Sequence, residues 1–449
     1  MTFPKDLFVP FRSALYAFRG GFLIRPFSIA VTLGIGGLAL SALEQHMPAI
    51  GGLVPDFLLP SRGDPQVAQA ILSDIATATM TVVAIVFAIL LMTLTLASTQ
   101  FSPRILISFV RDRVTQWTLG IFLGTFSYCI TVLPAAHSLP APFVPVVAVA
   151  GAMLLATISV GLLIFFIHHI SNAISVNHIV DRIRRETEIV IDDLMPEPRQ
   201  LVRPREDPTT CPAPSFPIAS RKTGYIRFID INRLRSLAKR HRIFLRLERR
   251  VGQFTPRGTA ILRASPRERL NNDVISRLLS AIDIGPARTM QQDVEFGIVQ
   301  IVDIALRAMS PAVNDPTTVI SCVDQLTSVL VTWLGREPLA GVFYDSPHVL
   351  RVVVPWVTVD GLLDLAFEQI RHYAVADAAV SLRLMRAFGD IAGAIGETAI
   401  RQRLIERGKR MMAACQGRLH DEDLARLRRR FGVLEALAGE SRLAEAGQR

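Results

Sequence analysis

Two sets of residues in this chain of 449 have the types and spacing that chemistry would need. The first lies within "IGPARTMQQDVEFGIVQIVDIALRAMSPAVNDPTTVISCVDQL", Ile284 to Leu326, where Arg288, Gln292, Asp293, Asp303, Arg307, Asn314 and Asp315 offer a polar cluster for a ligand or a subunit contact. Asp303 and Arg307 are spaced to pair on one helix face. Ser310-Pro311 breaks a helix ending near Met309, and Asp315-Pro316 starts another, with Asp as N-cap and Pro at the first helical position. That pattern also describes a purely structural corner between two helices, and both readings stand on the sequence. The second set is Thr77, Thr81, Ala84, Ala88, Leu91, Thr95 and Ser98, whose steps of three and four place one small, partly hydroxylated face along a bulky Val/Ile/Leu/Met helix. Such a face can line an aqueous path around a symmetry axis. It can equally be a face for close helix packing in lipid, as Gly120 and Gly124 in a GxxxG pattern are.

Other constellations carry less. His168, His169 and His178 have no i,i+4 partner for a metal and read as interfacial or pH-sensitive histidines. Asp293, Asp315 and Asp324 have no ligand spacing that defines a cation. No GxxxxGK[ST], GxGxxG after a strand, HExxH or GxSxG is present, so the chain is expected to be no enzyme of a familiar mechanism and to need no metal or cofactor. Cys129, Cys211, Cys322 and Cys415 are isolated and expected to be free thiols.

The elements that must position these groups begin in lipid. Pro26–Leu43, Ile75–Ala97, Thr115–Ala136 and Phe143–Ile167 hold no Asp, Glu, Lys or Arg, and as helices each crosses or nearly crosses a hydrocarbon core of roughly 30 Å. The absence of charge inside them argues against proton relays and voltage sensors, which need ionisable groups at membrane depth. Lys5, Arg12, Arg19 and Arg25 precede the first stretch, Arg104, Arg111 and Arg113 join the second to the third, and Arg182, Arg184 and Arg185 follow the fourth. The other two connections are poor in cations, so both termini are expected in the cytoplasm of a multi-pass bacterial inner-membrane protein. The first stretch is long for a signal peptide and is followed by another, so it reads as a retained anchor.

Half of the residues are hydrophobic and a fifth are charged, the latter mostly after His178. The expected organisation is a transmembrane domain over 1–170, a continuous helical extension over 171–193 able to act as a rigid lever, and a proline-rich linker over 194–219. A small β-containing module over 220–265 and a helical domain over 266–449 follow, with one strand near Val349–Pro355. The fold class is an α-helical membrane protein, a four-helix transmembrane bundle carrying a mostly α, α/β cytoplasmic region. The net charge of +10 gathers at Arg233–Arg250, Arg401–Arg410 and Arg426–Arg430, clusters that suit anionic lipid headgroups. Without zinc-finger, helix-turn-helix or aromatic-interleaved motifs, nucleic acid is not expected as a partner.

The segments "RTMQQDVEFGI" and "SPAVNDPTT", with Ala97–Tyr128 ("ASTQFSPRILISFVRDRVTQWTLGIFLGTFSY") and Leu362–Tyr373 ("LLDLAFEQIRHY"), resemble the domain-of-unknown-function 2254 family of predicted bacterial membrane proteins. The resemblance spans nearly the whole chain and implies a membrane location and a bacterial source; it carries over no catalytic residues. Together these readings favour a homo-oligomeric, channel-like or transport-related assembly with a cytoplasmic gating or scaffold domain, open to a cytoplasmic ligand or protein partner. The alternative is a membrane-anchored sensor or scaffold whose cytoplasmic domain binds a partner.

Overall fold

The computed structural model describes residues 24–47, 50, 54, 55, 64–100, 112–137, 143–173, 175–195, 216–339, 341–346 and 349–446. It separates into two compact units that meet in sequence between Ser175 and Val176. Much of the proline-rich linker, residues 196–215 with Cys211, lies outside the described residues, as do Arg104 and Arg111.

The first unit is built from α1 (Ile24–His46), α2 (Pro65–Gln100), α3 (Arg113–Val132) and α4 (Val146–Ala173). All four are long and apolar enough to cross a membrane. Their side chains are arranged for lipid: Phe27, Ile35, Phe87, Met92, Leu154 and Ile164 are exposed, an arrangement that would be a large aggregation liability in water. Inside, α3 packs against each of the other three helices. Its closest partner is α1, and glycines on both sides permit the approach. A Cβ at Gly120 would lie 2.7 Å from Ile29 Cδ1 and one at Gly124 would run into Leu33, while one at Gly37 would meet Thr131 and Val132 at 2.9 and 3.0 Å. The GxxxG pattern therefore serves a contact within the chain.

The helix expected to run unbroken from the fourth apolar stretch to Asp193 is two helices. α4 ends at Ala173, and α5 (Val176–Leu194) begins after Ser175. The sequence "SNAISVN" explains the break, because Ser and Asn side chains compete for backbone hydrogen bonds and lower helix propensity. α5 also differs in kind from α4: it is amphipathic, burying Ile179, Val180, Ile183, Val190 and Ile191.

The second unit, from Val176 onward, combines two small sheets with a helical layer. β1 (Phe216–Ala219), β2 (Gly224–Ile229), α6 (Ile231–His241), β3 (Phe244–Leu247), β4 (Phe254–Thr255), β5 (Ala260–Ser265), α7 (Asn272–Leu279) and β6 (Ile282–Gly285) come first. They are followed by α8 (Val294–Ala308), α9 (Pro316–Leu334), β7 (Val342–Asp345), β8 (Val349–Val353), α10 (Val359–Ala374), α11 (Ala378–Ala394), α12 (Thr398–Cys415) and α13 (Asp421–Ala446). One sheet has the order β1-β5-β3-β8-β7 and the other β4-β2-β6. β3 and β8 pair in parallel, so the larger sheet draws strands from both sides of the boundary expected near residue 265. β1 falls in the expected linker, and Pro217 is tolerated there because β1 is an edge strand. Leu245, Leu247, Leu262 and Val352 from the sheet meet Leu234, Ala238 and Leu278 from α6 and α7 in one apolar core.

α9 is the fifth helix apolar enough to span a membrane. It packs on α5, α8 and α11, which bury Val319, Cys322, Val323, Leu326 and Leu330 against protein. That side of the helix belongs to a core.

Candidate functional site

The small face of α2 points away from its own bundle. Thr77, Thr81, Ala84, Ala88, Leu91 and Thr95 are all exposed, whereas Leu72, Ala76 and Val86 on the other side are buried. The buried side packs with Phe122 of α3 and Phe166 of α4, and Val83 and Leu90 adjoin that cluster. Of Ser98 only its place in α2 is described. Two hydroxyls on the face bond back to their own helix, Thr81 Oγ1 to Thr77 O at 3.0 Å and Thr95 Oγ1 to Leu91 O at 2.9 Å. A hydroxyl satisfied in this way can face water, lipid or another helix at little cost.

Polar groups unforeseen in the sequence close both ends of this unit. Glu44 of α1 is 3% exposed and accepts from Val147 N at 3.0 Å and Ala148 N at 3.3 Å, capping the first turn of α4 from a different helix. At the other end Asp112 caps α3 by accepting from Thr115 N at 2.9 Å and also meets His169 Nε2 at 3.0 Å. Burial alone would raise the pKa of Asp112, but the bonds from Thr115 and the charge of His169 outweigh it and hold the carboxyl low. The Asp-x-x-Thr spacing was the available signal for this cap. Nothing local in the sequence announces the partner of Glu44, which is about 100 residues away.

The polar cluster of the second unit separates into two groups at opposite ends of α8, a helix about 22 Å long. At the N-terminal end Asp293, 3% exposed, caps α8 through Phe296 N at 3.0 Å. It also forms a two-pronged pair with Arg288, both bonds 2.8 Å. Burial pushes the Asp293 carboxyl above its ordinary range, against the pull of the Arg288 guanidinium. Gln292 Oε1 accepts from Ile229 N at 2.9 Å, tying the loop to the end of β2. Gly252 completes the site, since its φ of 86° suits glycine and a Cβ there would lie 2.5 Å from Asp293 Oδ2. A second two-pronged pair, Arg250 with Glu295 at 2.8 and 3.0 Å, lies alongside. Arg250, Gln292, Asp293 and Glu295 line, with Trp333 and Trp356, a cleft of about 40 Å³, room for a few water molecules and far short of a metabolite.

At the C-terminal end of α8, Asn314 adopts a left-handed conformation with φ of 47°, and Asp315 N donates to Ala308 O at 2.8 Å. Asp315 caps α9 through Thr318 N at 3.1 Å, with Pro316 at the start of the helix, as its sequence pattern predicts. Asp303 and Arg307 occupy the middle and last turns of α8, so the seven residues do not converge on one point. Bonds from the Thr318 hydroxyl and amide hold the Asp315 carboxyl below its usual range. A carboxyl with a lowered folded pKa stabilises above its unfolded pKa and loses that contribution as pH falls through the folded value. Asp315→Ala is therefore expected to cost about 1 kcal/mol at neutral pH, with the gap to wild type narrowing below about pH 4. Thermal midpoints of the detergent-solubilised protein across pH check this, and a gap that does not depend on pH would contradict it.

Cys129, Cys322 and Cys415 are buried free thiols. Among the described residues no three His, Cys, Asp or Glu side chains gather as metal ligands. A family model described as "Predicted membrane protein (DUF2254)" matches residues 19–390. Uncharacterized proteins of Mycobacterium bovis and Mycobacterium tuberculosis are each 33% identical over 372 residues, covering 82% of this chain and 70% of theirs. No solved structure matches.

Proposed function

We propose, for a chain that belongs to the DUF2254 family of predicted membrane proteins, a homo-oligomeric, channel-like or transport-related assembly of a bacterial inner membrane. In this reading α1 to α4 are the four membrane spans, α9 is a core helix of a cytoplasmic region, and that region gates or scaffolds the pathway. The observation that carries the proposal is the uncovered small face of α2. Helices in lipid associate through close packing of small residues, and the chain leaves Thr77, Ala84 and Ala88 without cover while burying the bulky Val86. A second copy is the natural occupant of such a face. Around a symmetry axis, the same residues would border a path whose hydroxyls need no water to be satisfied. The paired charges and small cleft around Asp293 support a structural part for that cluster in the assembly.

Orientation rests on the Arg and Lys asymmetry of the connections, which favours cytoplasmic termini. Oxidative cross-linking of single cysteines in native membranes tests the arrangement. Ala88→Cys should yield cross-linked dimers and Val86→Cys none, and the reverse pattern would remove the basis for self-association through α2. Cysteines at Met47 and Arg429 in the same panel read orientation, with impermeant labelling from outside expected at Met47 alone.

A further inference from the structure

The positive charge of this protein is concentrated in one place. Residues 221–280 hold sixteen Lys and Arg against four Asp and Glu, an excess larger than the +10 of the whole chain. Ion pairing sets the cluster at 401–410 apart from the β-containing part, while on α13 only Arg426 has a carboxylate partner among the described residues. In the cluster at 401–410, Arg403 and Arg407 pair with Asp360, Arg407 pairs also with Asp364, and Arg401 bonds to Ala392 O, Ile395 O and Leu437 O. Those cations are occupied by α10 and by helix ends. In the β-containing part, Arg240, Arg242, Arg267 and Arg269 have no carboxylate within 4 Å among the described residues. Arg242 and Arg269 adjoin directly: α6 ends at His241, Arg242 follows in a left-handed conformation, and Arg269, from the 3-10 turn Arg267–Arg269, donates to Arg242 O at 2.5 Å. From there the charge continues onto the sheet. Arg246 of β3 stands directly opposite Arg263 of β5, with Glu248 as the one carboxylate near both, at 4.0 and 3.3 Å.

Like charges placed directly across an antiparallel pair destabilise it, and a folded chain gains nothing by leaving four further arginines without a counter-charge. The cost is recovered if an anionic surface covers the stripe. We infer that this stripe, from the end of α6 along β3 and β5, docks on anionic phospholipid headgroups. A plane of headgroups fits better than a single phosphate because the cations are spread along a helix end, a turn and a sheet face rather than folded around one point. The inference rests on the membrane location of the chain and is independent of conduction.

The test uses the full chain in nanodiscs of phosphatidylcholine, alone or mixed with phosphatidylglycerol. A fluorophore is placed at Ser236→Cys, exposed on α6 one turn before Arg240, in a Cys211→Ser background. Quenching by a lipid-borne headgroup quencher is expected only with phosphatidylglycerol, and it should fall as salt rises. Each cation at such a surface is worth about fivefold, on the order of 1 kcal/mol. Reversing Arg240, Arg242, Arg267 and Arg269 to Glu should therefore weaken docking at least several-hundred-fold, about the loss expected from removing four cations alone, whereas reversing Arg428, Arg429 and Arg430 on α13 should leave it within a few-fold. Equal quenching in phosphatidylcholine alone, or equal loss in both variants, would overturn the inference. So would reversal by inorganic phosphate beyond that of sodium chloride at equal ionic strength, which would assign the stripe to a soluble phosphate. If the fourfold variant fails to fold, the lipid and salt dependence of the wild type decides alone. Nanodiscs expose anionic lipid on both faces, so a wrong orientation cannot produce the negative result.

Discussion

Gly124→Leu is expected to dismantle the membrane unit. Leu33 of α1 already lies where a single Cβ at Gly124 would go, and Ile29 sits 2.7 Å from a Cβ at Gly120. The helices must separate or Leu33 must leave its place, and overpacking of this kind costs typically 1 to 3 kcal/mol or more. In lipid the penalty is compounded, because close backbone approach is what holds helices together once apolar side chains gain nothing from leaving lipid. Thermal midpoint and gel-filtration profile in mild detergent should show loss of most folded protein. Gly161→Leu, in open space within the same unit, should behave as wild type. A folded Gly124→Leu protein would mean that α1 and α3 are not packed as described.

Asp293→Ala should be the most damaging single change in the second unit. It removes the cap of α8 and leaves Arg288, held at 2.8 Å on both prongs, without its buried counter-charge. Breaking a buried pair from one side costs about 3 to 5 kcal/mol, far more than the partly buried cap at Asp315. Replacing both partners, Arg288→Met with Asp293→Leu, should recover part of that loss because no lone charge remains. Denaturation followed by the fluorescence of Trp333 and Trp356, both lining the cleft, reports the difference. If Asp293→Ala is as stable as wild type and only transport is lost, the carboxylate is a functional group and not a cap.

Apolar length made the membrane helices legible, and cap chemistry made the Asp315 corner legible. Both signals are local, one a run without charge and the other an Asp followed by Pro. Period alone placed the small residues of α2 on one face, and burial follows that division, with Val83, Val86 and Leu90 on the packed side. What escaped depended on distant partners or on brevity. β6 and β7 are four residues each, too short for alternation to outweigh neighbouring helical patterns. The parallel pairing of β3 with β8 joins segments about a hundred residues apart. The Arg288, Gln292 and Asp293 group could be read as a polar cluster, but its separation from Asp315 by the length of α8 appears only when the helix is placed.

Ion flux through reconstituted oligomers tests the central claim most directly. Purified wild-type protein in liposomes should carry ions above the level of empty liposomes, and Ala84→Trp or Ala88→Trp should block or alter that flux while the oligomer stays intact. Val86→Trp, aimed into the packed side of α2, should instead reduce folded protein. Flux from folded wild-type oligomer equal to that of empty liposomes, across several salts and pH values, would contradict a conducting assembly and leave the four helices as an anchor.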